Sequence, residues 1–412
     1  MLVLIVVLFV AASAVAWWRL DLVHPAQLWL TVWSLALGLF ALHLLPYDTI
    51  SGETLLWITA ASLAFVGATL VAPRLPTPGA PSRIGPQQVQ WAAALLLAAA
   101  LVGCALFVAQ AVLDVGPRAA LFTSWTLRAA VHEGAYAVTV KYLYVAIAAA
   151  AMCGVAAGVA SERRRWWLAA AGAAVASTYF ATGRSTLVIT GIAASVAFLV
   201  TARPRLVGRR LVLWAGGAAL LSVTVFLVMG QLIGKTYGNS DLGSVRSFFT
   251  EHPHAQSLGT AYMYASAPIG ALDVLVRKPP QDKSDGCAMF SAVCSALSRA
   301  GLDTRPVQPI RPFTAEPIPW NTYTALDDVI RDVGVRGVPI IFGLLGLLCG
   351  WLFAVTREGR PWAIAIYAVL STAIITSVGA NTFAAAHILG AITIMLVSLP
   401  AAMVLSMLAS RR

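Results

Sequence analysis

Apolar residues run along this chain in long blocks of Ala, Leu and Val, separated mostly by short polar connections. Eleven blocks stand out: 2–17, 26–45, 54–72, 91–112, 139–160, 166–181, 185–202, 211–229, 337–355, 362–379 and 384–408. Each is roughly 16–24 residues, about what a helix rising 1.5 Å per residue needs to cross 30 Å of hydrocarbon. They are not the ten-residue alternating segments of a membrane barrel. Inside a bilayer, helices and closed barrels are the only two ways a chain satisfies its own backbone N–H and C=O groups. The pattern therefore predicts an all-α polytopic membrane protein with about eleven transmembrane helices. Residues 1–229 hold helices one to eight, 230–336 form one large loop, and 337–412 hold helices nine to eleven. The first block lacks positive residues ahead of its apolar core and a small-residue cleavage site after Trp17-Trp18-Arg19, so it reads as a retained helix rather than a signal peptide.

Composition agrees: 59% of the 412 residues are hydrophobic and only 11% are charged, with a mean hydropathy of +0.81, far from a soluble domain. Charge adds orientation. Alternating through eleven helices, one face collects Arg19, the Arg163–Arg165 and Arg203–Arg210 groups and the other short-loop arginines. These are fourteen of the 28 basic residues, against only Asp21, Glu162 and Glu358 of the 17 acids. Short positive loops translocate poorly, so this face is expected to be cytoplasmic, with the N-terminus and the 230–336 loop outside and the C-terminus inside. The formal net charge of +11 is then explained by topology, and nucleic acid is not expected as a partner.

The large loop carries ten of the seventeen acids, and connections of that length are usually functional. Within it, 254–277 is moderately apolar with two tyrosines, as in a re-entrant hairpin or a helix lying at the interface. Residues 278–320 are dense in Pro and charge, and 321–335 lead as a helix into the ninth span. Cys287 and Cys294 share the loop, and seven positions apart on one straight helix they would be roughly 10 Å distant, so a disulfide needs a turn between them. No metal-binding spacing accompanies them, and no cofactor is expected.

Several enzyme signatures are excluded. Gly230-Gln231-Leu232-Ile233-Gly234-Lys235-Thr236 has three residues between its glycines where a phosphate-binding loop has four. Neither HExxH nor GxSxG occurs. Two constellations remain. Ala181-Thr182-Gly183-Arg184-Ser185-Thr186 is a tight outer turn in which Gly183 can end one helix while the next begins at once. Free N–H groups and a positive dipole end would then stand beside the Arg184 guanidinium, an arrangement suited to phosphate or pyrophosphate; the plainer reading is that Arg184 snorkels to the interface. The second constellation runs from Trp320 to Gly337. Asp328 and Asp332 are four apart on its helix with Arg331 between them, and either could act as a general base held near membrane depth. The plainer reading here is a solvated helix start whose acids favour the positive helix end. Arg128, Arg246, Tyr262, Arg336, Asp273 and His387 are lesser candidates.

These residues resemble the Wzy-type oligosaccharide repeat-unit polymerases, relatives of the O-antigen ligases. The resemblance rests on His24-Pro25 and Trp33 in the second helix and on the outer turn Thr182-Gly183-Arg184-Ser185. It continues in the late outer loop ending in Asn321-Thr322-Tyr323-Thr324, followed by Asp332-Val333-Gly334 and Gly337. Val333 stands where such proteins often carry an aromatic. The resemblance implies a metal-independent bacterial inner-membrane glycosyltransferase working on the outer face. Its partners would be undecaprenyl-pyrophosphate-linked glycans, membrane lipids and, as a further candidate, a chain-length regulator. Arg184, helped by Arg246 and Arg128, would hold the pyrophosphate, Tyr262 and Arg336 would contact substrate, and Asp332, with Asp328 as second choice, would be the base. A ligase passing finished glycan to another acceptor would use the same pyrophosphate site. A non-enzymatic flippase or exporter fits less well, because the spans hold almost no ionisable residues at mid-depth.

Overall fold

A computed structural model describes residues 2–19, 21–44, 49–74, 86–117, 151, 154, 164–177, 184–202, 217, 256–279, 284–302, 304, 323–379, 383 and 386–409. These are helical and contain no strand. In chain order the described helices are α1 (Leu2–Arg19), α2 (Pro25–Ala41), α3 (Gly52–Val71), α4 (Pro86–Val115), α5 (Arg164–Ser177), α6 (Arg184–Ala202), α7 (Gln256–Arg277), α8 (Ser291–Arg299), α9 (Ala325–Val333), α10 (Val338–Arg357), α11 (Pro361–Thr376) and α12 (Ala386–Ala409). Nine of the eleven apolar blocks coincide with helices, while 139–160 and 211–229 fall almost wholly outside the described residues. Among the described residues three helical segments are long and apolar enough to cross a membrane: Gly52–Val71, Gln90–Val115 and Val335–Arg357. Five further apolar helices, such as Pro25–Ala41 and Trp362–Thr376, are shorter, at 10–17 residues. Long apolar helices are what a membrane protein requires; the count of eleven spans is a finer statement than these three segments carry.

The chain divides into two units. The first comprises Met1–Pro76, Thr236–Ala354 and Ala373–Ala386, and the second Thr77–Lys235, Val355–Thr372 and His387–Arg412. In the second unit α5 packs on α4 and α6.

The first unit is built around α2, which packs against α1, α3 and α7. Its start is encoded locally: Pro25 occupies the first helical position, where its missing N–H costs nothing, and the His24 ring accepts the Ala26 N–H at 3.2 Å. Along its buried face Trp29 stacks on Phe65 with ring centroids 4.5 Å apart and lies 5.2 Å from Phe342. Each indole still has a polar N–H to satisfy, and Trp29 donates to Ser62 Oγ at 3.0 Å while Trp33 donates to Ser377 Oγ at 3.1 Å. Hydroxyls inside apolar helices are satisfied along their own turn, as in Ser62 to Ile58 O, Ser266 to Tyr262 O and Ser371 to Tyr367 O. These hydroxyls therefore need no water.

Small residues decide how closely α10 approaches α3. A Cβ at Gly346 would run into the Phe65 carbonyl, and one at Gly350 would lie 2.7 Å from Thr69 O and 2.8 Å from Ala72 Cβ. The glycines are four apart on one face, the spacing that lets two membrane helices bring their backbones together. Gly350→Ala is accordingly expected to destabilise the detergent-solubilised protein by about 1–3 kcal/mol through overpacking. Gly67→Ala, where a Cβ meets nothing within 4 Å, should be neutral or stabilising. Thermal unfolding of the two variants side by side checks this, and equal melting temperatures would remove the close approach as a cause.

Candidate functional site

The short helix α9 carries the acids singled out in the sequence, and it is not a solvated helix start. Asp327 is fully buried, while Asp328 and Asp332 are 8% and 6% exposed. Asp327 and Asp328 sit in the first turn, where carboxylates favour the positive end of the helix dipole. Gly334, at φ +80°, ends the helix in a conformation that a side chain would resist. The Arg331 guanidinium pairs with Asp327, Nε to Oδ2 at 3.1 Å. It also lies 5.8 Å from the centre of the Tyr323 ring. Burial pushes its pKa down from the usual arginine value, with the Tyr323 hydroxyl pulling the other way. It stays cationic at physiological pH, because arginine starts so high.

Asp332 faces the opposite way, toward the 284–294 segment. Its Oδ1 accepts the Ala288 N–H at 3.1 Å and its Oδ2 the Met289 N–H at 2.7 Å. The Ser284 N–H donates to the Arg331 carbonyl at 3.4 Å. The segment turns through Asp285 and Gly286, both at positive φ, and enters α8. The turn brings Cys287 and Cys294 to a Cα separation of 5.6 Å, where they form a disulfide. Spacing along the chain thus required a turn, and the structure contains one. The bridge closes a short loop, so replacing both cysteines by Ser should lower stability by about 2–3 kcal/mol. Thermal unfolding of the variant beside the parent protein checks this, and equal melting temperatures would show that the bridge adds no stability.

Ser377, just past the end of α11, bonds to both α2 and α9. Trp33 of α2 donates to its side chain, and its carbonyl accepts the Ala325 N–H, at the first residue of α9, at 2.7 Å. Thr324, the residue before α9, is 1% exposed, and its Oγ1 has no hydrogen-bond partner among the described residues. The 254–277 stretch, expected as an interfacial helix or a re-entrant hairpin, is helical over Gln256–Arg277. As α7 it packs on α2, α3 and α9, with Met263, Ser266, Ile269 and Leu272 fully buried. Its Asp273 caps α3, with Oδ1 accepting from Ser51 N–H at 2.8 Å, Ser51 Oγ at 2.6 Å and Thr54 Oγ1 at 2.7 Å. Oδ2 pairs with Arg277 at 2.8 Å. Tyr262 accepts the Leu44 N–H at 3.2 Å, and burial raises its phenol pKa. Between α1 and α2 lies a groove of about 630 Å³ lined by Val10, Trp17, Leu35, Leu39 and Ser34, the last with a buried hydroxyl that makes no hydrogen bond among the described residues.

In the second unit, Arg184 opens α6 at its N-terminal end. The side chain of Arg184 lies outside the described residues, as do Arg128, Arg246 and the 181–183 turn. Arg336 is exposed on the single 3₁₀ turn between α9 and α10. Among the described residues no three His, Cys, Asp or Glu side chains gather as metal ligands.

No family model, curated protein or solved structure matches the chain. Two residues important to the α9 geometry were passed over in the sequence. Asp327 stands four positions before Arg331, a spacing that signals a helix-face ion pair. Ser377 lies near the end of the apolar block 362–379 and has no local signal at all.

Proposed function

We propose that this chain is a membrane glycosyltransferase of about eleven spans that polymerises undecaprenyl-pyrophosphate-linked repeat units on the outer face of a bacterial inner membrane. The observation that supports it is at Ser377, which accepts from Trp33, part of the resemblance, and from the N–H of Ala325, the residue that directly follows the Asn321-Thr322-Tyr323-Thr324 stretch. The apolar groove between α1 and α2 is of a kind that can take a prenyl chain. In the reaction a hydroxyl of the acceptor's terminal sugar attacks the anomeric carbon of the donor glycan. The bond from that carbon to the pyrophosphate oxygen breaks, and the hydroxyl proton passes to a carboxylate. Arg184 at its helix terminus, with Arg246 and Arg128, offsets the charge developing on the leaving pyrophosphate. Tyr262 and Arg336 are proposed as substrate contacts. Of the two acids, Asp328 becomes the first choice for the base, since both oxygens of Asp332 already accept backbone N–H groups. That reverses their order as ranked from the sequence.

The test takes lipid-linked oligosaccharides extracted from a strain lacking this chain and returns them to the purified protein in proteoliposomes with EDTA. A ladder of lengthened, still lipid-linked glycan is expected. Transfer of unlengthened glycan to a different acceptor would convert the reading to a ligase, and unchanged oligosaccharide would overturn it.

A further inference from the structure

The helix α8 presents an apolar stripe that neither the fold nor the proposed chemistry uses. Phe290, Val293 and Leu297 are 49%, 43% and 37% exposed and fall three and four positions apart, hence on one helix face, with Cys294, 8% exposed and bridged to Cys287, at the flank of that face. Leu302, just beyond the helix, is 56% exposed. A nine-residue helix is too short to persist alone in water. It is held by the Cys287–Cys294 bridge and by the two N–H groups that Asp332 grips.

That grip fixes its level. Asp332 lies three residues before the apolar segment Val335–Arg357, at most about 10 Å of chain. An amphipathic helix at a bilayer surface buries its apolar face about 5–10 Å into the boundary between headgroups and acyl chains, so the two depths coincide. Ile340, Leu344 and Leu348 continue outward along α10 at four-residue spacing, all strongly exposed, as a lipid-facing stripe would be. Exposed Arg336 stands at the start of that segment, where a guanidinium meets lipid phosphates. We infer that α8 is a disulfide-stapled interfacial anchor whose partner is the phospholipid surface, seating Phe290, Val293 and Leu297 at the acyl boundary. It thereby fixes the height of α9 and its acids above the hydrocarbon. This rests on α10 crossing a membrane, the coarser part of the reading above, and not on the glycosyltransferase chemistry.

The experiment places a ketone-bearing amino acid at Val293, at Leu297 and at Leu344, in separate full-length proteins. Each is labelled with a hydroxylamine nitroxide, so that the native cysteines are untouched, and reconstituted in phosphatidylcholine–phosphatidylglycerol nanodiscs. Relaxation by oxygen, which concentrates in lipid, is compared with relaxation by a water-soluble nickel chelate. At Leu344 oxygen should dominate. At Val293 and Leu297 oxygen should exceed nickel several-fold, with a shallower depth than at Leu344. Nickel dominating at Val293 and Leu297 while oxygen dominates at Leu344 would overturn the anchor and leave the membrane crossing intact. Shielding of 293 and 297 from both reagents would mean that protein, not lipid, covers the stripe, which also overturns it. Nickel dominating at Leu344 would remove the crossing and the anchor together.

Discussion

Arg184→Ala is expected to lower polymer formation by about a hundred- to a thousand-fold, the equivalent of 3–4 kcal/mol, which is the range found when one donor to a developing oxyanion is removed. The expectation follows from the position of Arg184 as the first residue of α6. Under the proposed chemistry, the N–H groups of a helix's first turn and an arginine at its first residue would both interact more strongly with the pyrophosphate as it departs than while it is still bonded to the sugar. Arg184→Lys should recover only part of the loss, because lysine keeps the charge without the planar fork that engages two phosphate oxygens at once. A snorkelling arginine predicts the opposite pattern, with lysine equivalent to arginine and alanine nearly silent. Gel ladders of lipid-linked glycan from cells expressing each variant at matched levels distinguish the two. A wild-type ladder from Arg184→Ala would detach the pyrophosphate from this helix terminus.

The two acids of α9 should separate by the kind of damage they cause. Asp328→Asn is isosteric, and if Asp328 takes the acceptor's proton the variant should lose about 10²- to 10⁴-fold in turnover while remaining folded, as for removal of a general base. Asp332→Asn keeps one carbonyl oxygen but turns an NH₂ group toward a backbone N–H, leaving one of the Ala288 and Met289 donors without an acceptor. The penalty for such a buried donor is about 1–3 kcal/mol, and it falls on the 284–294 segment. Asp332→Asn should therefore show faster limited proteolysis within 284–302 and a smaller loss of turnover than Asp328→Asn. A turnover loss confined to Asp332→Asn, with the segment still protected, would return the base to Asp332. An unchanged ladder from both would take the proton transfer away from α9.

The sequence by itself determined the features that depend on near neighbours in the chain and on the solvent each residue meets. Nine of the apolar blocks became helices with ends within a few residues of those read from the pattern, because long runs of Ala, Leu and Val leave the backbone only its own carbonyls to bond with. The His24-Pro25 start of α2 is equally local, a cap being a bond between residues two to four apart, whereas the expected helical run 321–335 is a helix over Ala325–Val333 that Gly334 ends. The turn needed for a Cys287–Cys294 bridge followed from helix rise alone. What only the tertiary structure decided was how distant polar groups pair. Asp332 on Ala288 and Met289, Asp273 on Ser51 and Thr54, and Trp33 on Ser377 span 43 to 344 positions. In each pair a buried polar group must find a partner, and burial makes leaving it unpaired costly. Yet the spacing along the chain says only that a carboxylate, a hydroxyl or an indole is present, not which element will close over it. Asp332 accordingly looked like a free base in the sequence and is a clasp on the neighbouring turn in the fold.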